Sequence, residues 1–407
     1  MRLVKDTFWN GKPAKIQAGA IIAAIIILAF IPGFTNTAVP LFLSWTMAYC
    51  VLSVSWSFFS GKAGYISLAT ASFYGIGMYL QAILGRQFPL WATMLFAAAL
   101  AFIVGIIIGV VTLRLRGIYF TIFTFGLSLF LNRFMNWYEG AFTRTKGRMV
   151  KPYDNDTVFY ALLIIFAITI IAVLILNKSK FGLSLKCIGQ NEDSAQHLGV
   201  RTTLVKVLAF AITAAPVGAA GAVTSIKIGY IDPNTAFGLN TSFFPVLMAI
   251  FGGMSSTYGP LIGAVIFYAL QDYLLHETNL HMVIFGAVMV IIIMIMPNGL
   301  IGTIEEFTGK KRKGVSLFKQ LIFLGAGVIL WAGQILANIY AGGVLSVSVL
   351  PSFGLDGVHN AGLFIGQYIA GIIGTILLII GIVGINRTDG TRASARSAIR
   401  RLARKGG

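Results

Sequence analysis

Residues 158–200 read VFYALLIIFAITIIAVLILNKSKFGLSLKCIGQNEDSAQHLGV. The first nineteen hold no charge, and about 20 helical residues cross a bilayer. The remainder turns abruptly polar. Two adjacent acids, several lysines, two glutamines, two asparagines and a histidine crowd into a few turns. A membrane span followed by a polar island sets the class of the chain and raises the question of what the island does.

Working outward, the same oily texture recurs. Of 407 residues, 57% are hydrophobic and only 11% charged, well below the roughly 25% charge of soluble domains. IQAGAIIAAIIILAFIPG (16–33) and LWATMLFAAALAFIVGIIIGVV (90–111) are further apolar runs of spanning length. The chain reads as an all-α, polytopic transmembrane helical bundle. Spans are expected at 17–33, 41–60, 65–84, 91–113, 118–137, 157–177, 204–226, 241–252, 258–275, 282–297, 319–337 and 363–385. The segment 241–252 is too short to cross unbroken. The first run is too long for a signal-peptide core and is expected to stay as a span.

The net charge of +18 carries no aromatic-interleaved groove, so it points to membrane topology rather than nucleic acid. With the N-terminus inside, 24 of the 31 Lys and Arg fall on cytoplasmic segments and seven on external ones. That is the asymmetry of the positive-inside rule. Both termini, the island and KKRKG (310–314) are then cytoplasmic, in a plasma (inner) membrane. The expected organisation is a tail (1–16), a transmembrane domain (17–302) with its cytoplasmic loop at 178–203, a basic linker (303–318), two further spans (319–385) and a basic tail (386–407). The tail's arginines fit a positive-inside anchor.

Two membrane-embedded stretches are unusually rich in glycine and hydroxyls. GKAGYISLATASFYGIGMY (61–79) contains Tyr65, Ser67, Thr70 and Ser72. FGGMSSTYGPLIGA (251–264) contains Gly252, Gly253, Ser255 and Ser256. Such stretches serve either close helix packing or a broken helix at a substrate pathway near the midplane. The eight residues are the pathway candidates. In LRLRGIYFTIFTFGLSLFLN (113–132), Tyr119, Phe120, Phe123 and Phe125 read as lipid-facing or packing residues.

The acids Glu139, Asp272 and Glu277 sit at span edges. Intramembrane carboxylates mark ion and proton relays, so ion-coupled transport is disfavoured. No catalytic set, metal-ligand cluster or phosphate-binding loop can be assembled, so the chain is expected to be no enzyme and to bind no cofactor. Cys50 and Cys187 are not expected to pair. The energy for transport would come from elsewhere, and the island is the place to receive it. Read as one helix over 185–198, it places Leu185, Ile188, Ala195 and Leu198 on one stripe and Gln190, Asp193 and His197 on another face, with Gly199 ending it. A membrane-surface helix would carry Lys and Arg on its polar face. This face is acidic and amide-rich, which favours a protein partner.

GKAGYISLATASFYGIGMY, LRGIYFTIFT, GLSLKCIGQNEDSAQHLGV, KVLAFAITAAPVGAAGAV, GGMSSTYGPLIGA and MPNGLIG occur in this order over about residues 60–302. Together they resemble the permease subunits of branched-chain amino acid ABC transporters, the LivM type. The resemblance implies about ten family spans, here followed by two extra ones. It implies import of branched-chain or similar hydrophobic amino acids, with alternating access driven by ATP-Mg on partner subunits. The implied partners are a second permease subunit of the LivH type, two ATP-binding subunits and an extracytoplasmic solute-binding protein, besides membrane lipid. The polar island resembles the coupling loop that fits a groove on the ATPase. Lys186, Asn191, Glu192, Ala195 and Gly199 fall at matching positions, and Asp193 stands where a small residue is usual. The family commonly has an acid shortly after LRGxYF, where this chain has Ser128. Related permeases carry urea or short amides, which leaves a urea or amide permease, or a stand-alone facilitator, as the alternative. Residues 303–407 have no counterpart in the resemblance.

Overall fold

In the computed structural model the described residues are 25–33, 38–277 except Arg114, Arg116, Thr145 and Ser255, and 299–302. The expected tails, linker, spans 282–297, 319–337 and 363–385, and residues 17–24 of the first span lie outside them. Contacts divide the chain into two units. Residues 11–268 form one; 1–10 with 269–407 form the other. The candidate site belongs to the first.

The polytopic helical architecture is as expected. Six described helices are long and apolar enough to cross a membrane. In chain order the elements are α1 (25–33), α2 (Ala38–Trp56), α3 (Thr70–Leu84), α4 (Leu90–Thr112), α5 (Ile118–Tyr138), β1 (Arg148–Met149), α6 (Asn155–Lys178), α7 (Lys180–Gln190), α8 (Glu192–His197), α9 (Thr202–Ile228), β2 (Tyr230–Ile231), α10 (Pro233–Ala236), α11 (Leu239–Gly252) and α12 (Gly259–Glu277). The last turns of α2 and α5 widen into π-helical turns, Ser57–Gly61 and Glu139–Thr143.

α9 is the central post. It packs against α3 and α4, and α2 packs against α6. Lipid tails are as apolar as leucine, so close backbone approach must hold such helices together. Gly77 of α3 meets Gly218 of α9 so tightly that a Cβ on Gly77 would lie 1.9 Å from the Gly218 carbonyl oxygen. Beside this crossing Thr224 Oγ1 donates 2.6 Å to the Tyr74 hydroxyl.

Two expectations change, and the aromatics after Arg116 divide between the two roles expected of them. The span drawn at 65–84 starts as a helix only at Thr70, and residues 64–69 are non-helical. The short span 241–252 is preceded by α10, and together Pro233–Gly252 make 20 residues. Among the four aromatics after Arg116, Phe120 is fully buried between Phe59, Phe210 and Tyr65, while Tyr119 and Phe123 are exposed.

The bundle has two distinct ends. At one, β1 pairs antiparallel with β2. There the buried Glu139 carboxylate accepts from Tyr79 Oη at 3.1 Å and from the Gly147 amide at 2.8 Å, with Arg148 Nε 3.9 Å away. At the other lie α7 and α8.

Candidate functional site

The polar island is two helices. Asn191 takes an extended conformation (φ −163°, ψ 112°), and its side chain accepts the Ser194 amide at 2.8 Å. That bond satisfies one of the free amides of a new helix start, so the chain restarts at Glu192 rather than continuing from α7. The single helix over 185–198 is corrected accordingly. Leu185, Ile188 and Ala195 are buried as expected, but Leu198 is 78% exposed. Gln190, Asp193, Gln196 and His197 are exposed as well, and Lys186 is half-buried. Gly199 closes α8 with φ +85°, a conformation glycine takes without strain.

Gly189 rests on the segment after α2. A Cβ there would sit 1.8 Å from the Lys62 carbonyl oxygen. The chain turns at this contact, with Gly64 at φ +73°. From Gly64 to Ala69 it is non-helical, with Tyr65, Ser67, Leu68 and Ala69 buried and Gly64 and Ile66 exposed.

A buried charge cluster stands between this segment and α8. Lys206 Nζ of α9 donates 2.5 Å to Glu192 Oε1, 3.3 Å to the Tyr65 hydroxyl and 3.2 Å to the Leu113 carbonyl. It also lies 4.7 Å from the Tyr65 ring centroid. Tyr65 donates its hydroxyl to Glu192 Oε2. The Lys206 side chain is 3% exposed and that of Glu192 15%. A buried pair of this kind persists only with its remaining bonding capacity satisfied, and the third partner and the carbonyl do that here. A second set of bonds runs alongside. Lys62 donates to Asn177 Oδ1, and Asn177 donates 3.3 Å to Thr257 Oγ1.

The non-helical backbone is paired with side chains. Ser242 and Ser128 both donate to the Leu68 carbonyl, at 2.8 and 3.1 Å. Thr124 accepts the Leu68 amide at 3.0 Å, Thr121 donates to the Ile66 carbonyl at 2.8 Å, and Trp56 Nε1 donates to the Ser67 carbonyl at 2.7 Å. Irregular backbone at membrane depth is tolerated where protein satisfies it in this way.

The pathway candidates therefore separate. Tyr65 belongs to the charge cluster. Ser67, Thr70 and Ser72 are buried beside the non-helical segment. Ser67 and Thr70 line a small cavity of about 20 Å³ with Trp56, Phe73, Phe210 and Thr213. The Ser72 hydroxyl bonds that of Ser128 at 2.9 Å. Gly252 and Gly253 end α11, and Ser256 Oγ accepts the Tyr258 amide at 3.2 Å in the following turn. That turn lies at the α7 end, where Thr257 meets Asn177. Ser255 is outside the described residues. Sequence reasoning missed Lys206, Asn177 and Lys62, having counted the two lysines only as topology markers. A lysine at a helix start, in phase with the buried face of α9, was the available signal for Lys206.

The described residues form a helical bundle with a polar platform, α7 and α8, at one end. A family model described as "Branched-chain amino acid transport system / permease component" matches residues 39–293. The chain is 24% identical over 290 residues to a high-affinity branched-chain amino acid transport system permease protein LivM of Salmonella typhimurium, covering 63% of this chain and 68% of the relative. It is 23% identical over 315 residues to LivM of Escherichia coli, covering 69% and 74%. An autoinducer 2 import system permease protein LsrC of Yersinia pestis is 27% identical over 216 residues, covering 49% and 58%. No solved structure matches. These relatives are transport permeases rather than enzymes, and the apolar helices make this a multi-pass membrane protein. A match over more than half of the chain, carried by the same segments that build the bundle and its polar platform, makes this protein a member of the branched-chain amino acid transport permease family.

Proposed function

We propose that this chain is one permease subunit of an ATP-driven importer for branched-chain or similar hydrophobic amino acids. Two ATP-binding subunits dock on α7 and α8. A second permease subunit completes the pore, and an extracytoplasmic binding protein delivers substrate. In this reading the α7 end and both termini are cytoplasmic, the side that the charge asymmetry favours. The chain hydrolyses nothing; ATP and Mg are held by the partners.

The Glu192–Tyr65–Lys206 cluster carries this reading. One member sits on the exposed platform, one on the non-helical segment and one on the central post. A push on α8 by a partner is thereby transmitted to residues 64–69 and α9, the elements whose rearrangement would change access. Leu198, exposed among polar groups, supplies an apolar contact for that partner.

Deleting 188–199 is expected to abolish co-purification of the ATP-binding subunits while leaving the chain inserted. Glu192→Gln is expected to keep co-purification and lose most leucine uptake in proteoliposomes. Unchanged co-purification after the deletion, or ATP-independent flux of a small neutral solute through the chain alone, overturns the reading.

A further inference from the structure

α9 is buried along most of its length, with one exception. Between Val205 and Ile226 the residues that are not buried are Leu208, Ile212, Thr213, Ala215 and Pro216. The last four line a cavity of about 290 Å³. α4 and α6 both pack on α9, and α2 packs on α6 and α9. The cavity lies among these four helices, with Leu95 of α4, Ile168 of α6 and Ser55 of α2 in its wall. Leu95 and Ile168 are 65% and 61% exposed. Its mouth therefore faces outward between α4 and α6, two of the helices long and apolar enough to span a membrane.

The wall is mostly apolar, and one polar atom in it is unsatisfied. Ser55 is 1% exposed, and its hydroxyl has no hydrogen-bond partner. Ser44, Thr46 and Ser53 of the same helix each donate to a backbone carbonyl. So do Thr169 and Thr213, the other hydroxyls lining the cavity. A buried hydroxyl without a partner is costly, and such a group calls for an explanation. Pro216, inside α9, adds an acceptor to the same wall. Proline has no N–H, so the Ile212 carbonyl one turn earlier lacks the donor a helix normally supplies.

α9 is also the partition between two cavities. Thr213 lines this one and the small one beside Ser67 and Thr70. The partition carries its proline at this point, and helices bend at proline.

We propose that the outward cavity binds an apolar guest carrying one hydroxyl group, entering from the bilayer, and that occupancy restrains bending of α9 at Pro216. A guest hydroxyl can accept from Ser55 and donate to the Ile212 carbonyl. An engineered apolar cavity of about 150 Å³ takes a benzene-sized guest, so this one holds roughly a dozen non-hydrogen atoms. A single helical turn of about 3.6 residues carries roughly twice that number, so a chain or ring alcohol suits the space and a partner helix does not. The restraint on α9 rests on the permease reading above; the binding does not.

The test uses the full chain assembled with its partner subunits in proteoliposomes, and the photoreactive alcohol 3-azioctanol as probe. Mass spectrometry should place the label around Leu95, Ile168 and Ile212. 1-Decanol should compete roughly five-fold better than decane, and Ser55→Ala should remove that advantage. Ala172→Phe, which fills the cavity from α6, should abolish labelling. 1-Decanol should inhibit leucine uptake, at a roughly five-fold higher concentration in Ser55→Ala than in wild type. Label spread evenly over all outward helix faces, decane competing as well as 1-decanol, or unchanged labelling of Ala172→Phe overturns the site. Ser55→Ala decides by itself where the filled variant does not assemble, since a retained preference for the alcohol overturns the site too. Equal inhibition of wild type and Ser55→Ala overturns the restraint on α9. Wild type without leucine uptake overturns the permease reading and the restraint that rests on it, while the labelling still decides the site.

Discussion

At the scale of single residues, the Lys206–Glu192 pair is the most consequential feature. Both groups have left water, so their value depends on each other. Removing one partner of a buried pair strands the other, at a cost of about 3–5 kcal/mol, whereas replacing both by neutral groups of similar size is often tolerated. Lys206→Met is expected to lower the melting temperature of the detergent-solubilised protein, and Lys206→Met with Glu192→Gln to recover most of the loss. The non-additive remainder of that cycle should be about 1–3 kcal/mol. Additive single effects would show that the pair contributes nothing as a pair. Tyr65→Phe removes the hydroxyl that bonds both charges and should cost about 1 kcal/mol by the same thermal measurement.

At the scale of elements, the break at Asn191 and the break at 64–69 are different devices. The first is a local cap. Asn191→Ala removes the acceptor for Ser194 and should weaken the start of α8 by about 1 kcal/mol, seen as faster amide exchange over 192–197 with α7 unchanged. The second is held from a distance, by Thr124, Ser128 and Ser242 on α5 and α11. The Ser128 hydroxyl is absorbed in this backbone support. Ser242→Ala removes one of two donors to the Leu68 carbonyl, so exchange protection at 68–71 should fall; unchanged protection would show that Ser128 alone suffices. The crossing of α3 and α9 is less forgiving. Gly77→Val would drive a side chain into the Gly218 backbone, and loss of folded, monodisperse protein on size-exclusion chromatography is the expected result.

At the scale of the whole molecule, the polytopic helical class was legible because hydrocarbon length and apolar composition set it directly. The charge asymmetry likewise predicts that a cysteine placed in the hairpin at Met149 reacts with an impermeant reagent from outside in intact cells, and one at Gln190 only after permeabilisation. The reverse pattern would invert the topology. The polar island was legible as an exposed polar element from its acidic and amide-rich composition. Its division into two helices was not, because residues 185–198 carry a helical pattern on both sides of Asn191 and a single cap decides the break. The separation of the pathway candidates was equally hidden. Tyr65 and Ser67 are two residues apart, yet one bonds Glu192 and the other faces a cavity with Phe210 and Thr213.

The sequence alone determined a polytopic helical membrane protein, the glycine-rich interruptions before α3 and after α11, and a polar platform of unusual composition. These follow from local hydrophobicity, glycine content and charge, which act residue by residue. The tertiary structure decided what the platform is joined to. Lys206 is 14 positions from Glu192 and 141 from Tyr65, and only the packing of α9 against the start of the non-helical segment brings the three together. Desolvation inside that packing converts a topology-marking lysine into the hub of a coupled site.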